Sequence, residues 1–328
     1  MRTQENTISR RRFLRNVAFM GAAAAVMPRS LLGAAKKQTA AAAALPPATG
    51  ARSLFDGETL AGWQPLPRIY IPRDGKFADM HPDHYFTEAV AWAKQHGQAE
   101  KAAHTGLWEV VDGTIVGGHD PVDSVHGAYL VSKEKFGDFE LEFDANPDWP
   151  VDTGVMIRAN RMASLGFQVL VDYRPHGNVG GVYGNSLGNF LAGGFFMNGD
   201  RLPGFKMEKL REDNTIGNAV RIKANYAASF DEFKKTWKVN QWNHFKIRCV
   251  GALPLITTWI NGVKMCELDT ANIQDVPGFN PEGVMQRLGS EGHIAFEVHD
   301  VPANGPLGRD RWEVGAKCRW KSIYLTPL

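Results

Sequence analysis

The chain reads as an all-β protein in which two sheets pack face to face. Three features predict this. Apolar and polar residues alternate over many short stretches, as in Phe139, Leu141 and Phe143 against Glu140, Glu142 and Asp144. Gly-rich turn signals separate those stretches, and a helix-like pattern is confined to one region. Strands with one apolar face must bury it, and a second sheet is the usual cover.

The N-terminal segment stands apart from that fold. Residues 9–15 (SRRRFLR) fit a twin-arginine export signal, followed by an apolar run over 17–27 and the small residues Gly33, Ala34 and Ala35. Residues 1–34 are therefore expected to direct the chain through the twin-arginine translocase to the periplasm or beyond. An uncleaved signal would leave it membrane-anchored, although the apolar run is short for a permanent span. Residues 35–52, rich in Ala, read as a linker. Of the 37 Lys and Arg and 35 Asp and Glu in the chain, the signal holds six Arg and one acid. The rest carries 31 basic residues against 34 acidic ones, so nucleic acid is not an expected partner.

Residues 53–328 are long enough for one large β domain with a substantial core. Residues 87–103, rich in Ala, Glu, Lys and Gln, predict a helix interrupted at Gly97. Residues 107–111 and 114–117 flank Asp112-Gly113, a pairing that suits a two-residue hairpin turn. Val155 and Ile157 alternate with Met156 and Arg158. Phe167, Val169 and Val171 alternate with Gln168, Leu170 and Asp172. Ile294, Phe296 and Val298 alternate with Ala295, Glu297 and His299. Residues 183–205, rich in Gly and Asn, read as a long loop. Cys249, Cys266 and Cys318 show no metal-like spacing and suit buried free thiols, with a Cys249–Cys266 disulfide the alternative.

Together the phrases SLFDG, TLAGW, LWEVVDGTIVGG, FGDFELEFD, TGVMIRAN, GFQVLVDYR, QWNHFKIRCVG, TTWINGV and HIAFEVHD resemble the 3-keto-disaccharide hydrolase family, also called domain of unknown function 1080. The resemblance covers residues 53–328, with residues 68–104 as an insertion. It implies a concanavalin-like jelly-roll β-sandwich related to family 16 glycoside hydrolases. It also implies an exported enzyme that cleaves 3-keto-glycosides made by a separate sugar 3-oxidoreductase. The sugar would lie on the concave face of one sheet, and the insertion would wall one end of the groove or meet another subunit.

Polar side chains opposite an apolar set are then the candidates. His299 is the first choice for a proton-transfer group, since imidazole exchanges protons near neutral pH. Asp172 and Glu297 would orient it, and Arg158 would stabilise an oxyanion. Gln168 and Tyr183 would hold sugar hydroxyls. Glu142 is a further substrate contact or an ion-pair partner of Arg158. Trp259 would stack on a sugar or pack in the core. Two departures from the family phrases stand out: many relatives carry Glu at the position of Gln168, and Gln at that of Glu297. An amide cannot act as a base.

The cofactor question is open at this level. Donors or a metal could stabilise the enolate: His119, Asp123 and His126 could ligate a divalent ion, and Asp79, His81, Asp83 and His84 form a second such group. Ordinary retaining glycosidase chemistry fits poorly. It needs carboxylates about 5–5.5 Å apart, whereas Glu140 and Asp144 on one strand stand roughly 13 Å apart along its axis. The competing class is a non-catalytic carbohydrate-binding module, which the same groove would serve.

Overall fold

A computed structural model describes residues 50–71, 82–199, 210–213, 220–301 and 308–328. Residues 1–49, and with them the expected signal and most of the linker, lie outside the described residues. So do Asp79 and His81 of the second metal group. No helix among the described residues is long and apolar enough to cross a membrane.

The alternating stretches form two large, almost wholly antiparallel sheets. One, the site sheet, has eight strands among the described residues. In spatial order they are Val220–Ile222, Phe190–Ala192, Val179–Asn185, Gly166–Val171, Gly154–Ala159, His293–Val298, Ala128–Ser132 and Trp63–Pro67. The back sheet has nine. Its path runs Tyr226–Ala227, Val263–Asp269, Leu255–Ile260, Asn243–Val250, Phe139–Pro147, Cys318–Pro327, Thr114–Gly118 and Leu107–Val111, and Arg52–Ser53 pairs beside Cys318–Pro327. Strands distant in sequence lie side by side in both sheets, as a jelly roll requires. The fold is therefore a jelly-roll β-sandwich.

The inward faces are the apolar sets read from the sequence. Val155, Ile157, Phe167, Val169, Phe296 and Val298 of the site sheet meet Leu141, Phe143, Phe245 and Ile247 of the back sheet in one core. Phe296 sits at its centre, 4.9 Å from Trp320 and 5.2 Å from Trp63 between ring centroids. Truncating such a residue to Ala typically costs about 3–5 kcal/mol. The Asp112-Gly113 turn joins its two strands with Val111 opposite Thr114, and both turn residues have positive φ, 48° and 71°. All three cysteines are buried free thiols. Burial pushes Cys249 up to about 11 and Cys266 to about 12. The strand Leu255–Ile260 runs between theirs, which removes the disulfide alternative.

The helix-like region forms α1, Pro82–Gln95, and α2, Ala99–Ala103, with Gly97 at φ 76° between them. Ala89 and Ala93 of α1 pack with Leu66, Tyr129, Met156 and Ala295 on the outer face of the site sheet. At the other end of that face, Leu170, Leu191 and Phe196 form a second apolar patch, flanked by Tyr183. α1 thus covers one end of the outer face of the site sheet. Two further helices, α3 (Phe230–Thr236) and α4 (Pro281–Leu288), the strand pair Met197–Asn198 with Arg211–Glu212, and single 3-10 turns at Thr270–Asn272 and Gly308–Asp310 complete the described elements, so residues 183–199, expected as a loop, carry strands.

Candidate active site

The ends of five site-sheet strands converge. Asp152 precedes Gly154–Ala159, Asp172 follows Gly166–Val171, and His299 and Asp300 follow His293–Val298. Gly127 precedes Ala128–Ser132, and Arg68 follows Trp63–Pro67. Antiparallel pairing brings these starts and finishes to one end of the sheet. Arg68, Asp152, Asp172, Arg174, Glu297 and Asp300 are buried there, while His299, Arg311, Lys101 and Tyr183 are partly exposed. Charges this deep must be paired.

Arg68 is the hub. Its Nε donates to Glu297 Oε1 at 2.7 Å, its Nη1 to Asp300 Oδ2 at 3.0 Å, and its Nη2 to His299 Nε2 at 3.0 Å. Asp300 also takes the Tyr70 hydroxyl at 3.1 Å, the Lys101 ammonium, and the Gly127 N–H at 2.6 Å. Gly127 is required for that approach, because a Cβ there would lie 2.3 Å from the Val298 carbonyl oxygen. Gln168 donates its amide to Glu297 Oε2.

His299 has a defined tautomer. Guanidinium groups only donate, so Nε2, which faces Arg68 and also Arg311 Nη1 at 3.1 Å, carries the lone pair. Nδ1 then holds the proton and donates to the Asp300 carbonyl at 2.8 Å. Burial, and then the Arg68 charge, hold the imidazole well below its usual value, so the ring is neutral near pH 7.

The carboxyls split into two kinds. Burial would raise Asp152, but Arg174 at 2.7 Å and the Arg311 ion pair prevail and keep it ionised. Burial and the neighbouring Asp152 push Asp172 well up, against the pull of Arg174, whose Nη2 lies 3.1 Å from Asp172 Oδ2. Burial likewise raises Glu297, against the pull of Arg68. Asp300 is held low despite burial, because Arg68 and Lys101 face it. Burial raises the Tyr183 phenol to about 12, so it remains a donor.

Residues 50–326 match the family described as the 3-keto-alpha-glucoside-1,2-lyase-like domain. The chain belongs to this family. No curated protein matches the sequence. A protein described as a candidate glycosyl hydrolase from Parabacteroides distasonis ATCC 8503 is similar in structure, with 13% identity, 86% of this chain and 95% of that one covered, and a TM-score of 0.44. The carbohydrate-binding module CBM66 from Bacillus subtilis gives 13% identity, 67% and 91% coverage, and a TM-score of 0.35. β-Agarase B from Zobellia galactanivorans gives 11% identity, 67% and 77% coverage, and a TM-score of 0.34. The jelly roll of this lyase-like domain is read from its own strand order.

Of the residues singled out in the sequence, the structure brings His299, Glu297, Asp172, Gln168 and Tyr183 together. Arg158, Glu142 and Trp259 lie elsewhere. Strand alternation would have put Arg158 on the outer face beside Met156. A bulge intervenes: Ile157 and Arg158 together face Ile294, between the pairs His293–Ala159 and Ala295–Met156. Arg158 adopts φ 49° and turns inward, where it donates to Asp138 Oδ1 at 2.5 Å and the Gly251 carbonyl at 3.2 Å. Glu142 belongs to the back sheet and meets His244 Nε2 at 3.1 Å on its outer side. Trp259 is on the same sheet, with Lys246 Nζ 5.4 Å from its ring centroid. The metal set also changes. His119 Nε2 donates to the His299 carbonyl at 2.9 Å and its ring lies against Trp312, while Asp123 is exposed. His126 instead joins Glu100 and His104, and these three side chains approach within metal-ligand reach.

The pattern did not reveal Arg68, Asp152, Arg174, Asp300, Arg311 or Lys101. Most lie in turns, outside any alternating stretch. Asp152, Arg174 and Asp300 lie within two residues of chosen strands or residues, and that adjacency was the available signal. Arg68 fell inside the boundary drawn for the insertion.

Proposed function

We propose that this domain cleaves 3-keto-glycosides by abstracting the C2 proton and eliminating the C1 substituent. The observation that carries the reading is the neutral His299 with its Nε2 lone pair between two guanidiniums. Family membership supports the substrate class.

The chemistry follows from charge. A ketone at C3 acidifies the C2–H bond. His299 Nε2 takes that proton, and the bonding pair becomes the enolate of C2, C3 and the ketone oxygen. Arg68 and Arg311, which now donate to Nε2, would turn those donors to the oxygen as charge develops. An anion between the guanidiniums also offsets the field that holds His299 neutral, so imidazolium and enolate stabilise each other. The enolate then reforms the ketone as the C1–O bond breaks, and the leaving oxygen takes the proton that His299 Nε2 had accepted, which returns the ring to its neutral form. The product is a 3-keto sugar unsaturated between C1 and C2. Addition of water across that bond gives net hydrolysis. Glu297 and Asp300 fix Arg68, Asp152 fixes Arg311, Gln168 fixes Glu297, and the partly exposed Tyr183 would hold a sugar hydroxyl.

Such an enzyme needs an upstream oxidoreductase that oxidises the sugar at C3. Export through the twin-arginine pathway would place both in or beyond the periplasm. The test is incubation with a 3-keto-disaccharide and with its unoxidised parent, followed by mass spectrometry. Cleavage of the keto form alone, lost in a folded His299→Ala variant, is the expected result. Saturable binding of both sugars without cleavage would make the domain a carbohydrate-binding module instead.

A further inference from the structure

We propose that Glu100, His104 and His126 form a divalent transition-metal site of the zinc type that fastens the insertion to the sandwich. Their ligand atoms all lie within 4.8 Å of one another. Glu100 belongs to α2, and His104 caps its C-terminus. The four-residue spacing keeps both on one side of the chain. His126 arrives from the loop before Ala128–Ser132, so the set spans insertion and sandwich.

Two details favour a metal over a simple ion pair. His104 Nδ1 lies 2.8 Å from the Asp120 carbonyl, which can only accept. Nδ1 is therefore a donor, which leaves Nε2 as the ring's ligand atom. A backbone carbonyl fixing the far nitrogen is the usual support of a ligating imidazole. His126 Nε2 stands 3.4 Å from Glu100 Oε1, and the two imidazole rings lie 4.8 Å apart at 22°. Tetrahedral ligation at about 2.0–2.1 Å puts donor atoms roughly 3.3 Å apart. His126 Nε2 and Glu100 Oε1 already stand at that separation, and a modest shift of His104, at the end of α2, brings in the third ligand. Two nitrogens and one carboxylate oxygen suit zinc and leave a position for water.

The site has a consequence for the cleft. Lys101, next to Glu100, pairs with Asp300, and the N–H of Gly127, next to His126, donates to the same carboxylate. A metal would thus hold together the two chain segments that grip Asp300. The proposal does not depend on the sugar chemistry.

The test is titration of the untagged, chelator-stripped full chain with Zn2+, read by isothermal calorimetry and by melting temperature. One-to-one binding with a raised melting temperature is expected. Glu100→Gln and His104→Ala should each weaken binding by at least about tenfold, while His176→Ala leaves it unchanged. Glu100→Gln alters an exposed side chain and so reports on binding rather than folding. Absence of binding, or binding that survives Glu100→Gln and His104→Ala, overturns the proposal. Equal affinity for Mg2+ overturns the assignment to the zinc class.

Discussion

Gln168→Glu places a second carboxylate against Glu297 where neither side chain has appreciable exposure, 5% and 1%. The wild-type amide donates to Glu297 Oε2. An ionised Glu has no donor, so the new residue keeps that bond only by holding a proton. In the unfolded chain a Glu titrates near 4.3. Each pH unit above that value costs about 1.4 kcal/mol, so keeping the introduced carboxyl protonated costs roughly 3.7 kcal/mol at pH 7. The sign is fixed by the raised folded pKa. The penalty is absent below the unfolded value, is about 1 kcal/mol near pH 5, and grows until the folded value is passed. Urea unfolding of wild type and variant at several pH values measures it. The double variant Gln168→Glu, Glu297→Gln restores one carboxylate and one amide and should recover most of the loss. A penalty that does not change with pH, or that persists in the double variant, would refute this account of the pair.

Other outcomes depend on the same charges. Asp152→Asn takes from Arg174 its 2.7 Å partner and from Arg311 its carboxylate, and should cost about 3–5 kcal/mol, whereas Asp172→Asn replaces a carboxyl whose pKa burial and Asp152 raise by a neutral group that still accepts from Arg174, and should cost under ~1 kcal/mol; equal losses in urea unfolding would contradict the assignment. For turnover of a 3-keto-disaccharide, the base is active when neutral and burial with Arg68 depresses its pKa. The acid limb of kcat/KM should then lie well below the ordinary histidine value of about 6.5, and a limb at that value would count against His299. Arg158→Met should leave kcat/KM at the wild-type level and lower stability by ~1–3 kcal/mol, since its partners are Asp138 and Gly251; a selective loss of turnover would return Arg158 to the cleft.

Much of the fold was legible because a strand buried on one face writes a period of two into the sequence. Phe139, Leu141 and Phe143 needed only that rule, and Asp112-Gly113 needed only the steric freedom of its turn. The same rule found Gln168 and Glu297, at polar positions of strands, and His299, one residue past the end of His293–Val298. It misplaced Arg158, because one extra residue opposite Ile294 reverses the face of the residues beyond it and leaves no mark in composition. It could not assign a sheet, so Glu142 and Trp259 were grouped with residues of the other layer. Arg68, Asp152, Arg174 and Arg311 were hidden for a different reason: they lie beyond the strands and meet only through tertiary closure.

The two departures from the family phrases illustrate how such a closure changes a reading. Taken singly, Gln168 looks like a lost carboxylate. In the fold it hydrogen-bonds to Glu297, across the intervening strand Gly154–Ala159. Relatives with Glu at the first position and Gln at the second would present the same pair with its ends exchanged. One negative charge and one amide are kept, and what moves is the strand that carries the charge. Here that strand sets Glu297 against Arg68 at 2.7 Å, and Arg68 in turn faces His299. The carboxylate therefore acts on the guanidinium beside the base, and its side of the pair decides how firmly Arg68 is held. Glu297→Gln alone would leave Arg68 with a neutral partner at that position, so the single and double variants separate the position of the charge from its presence.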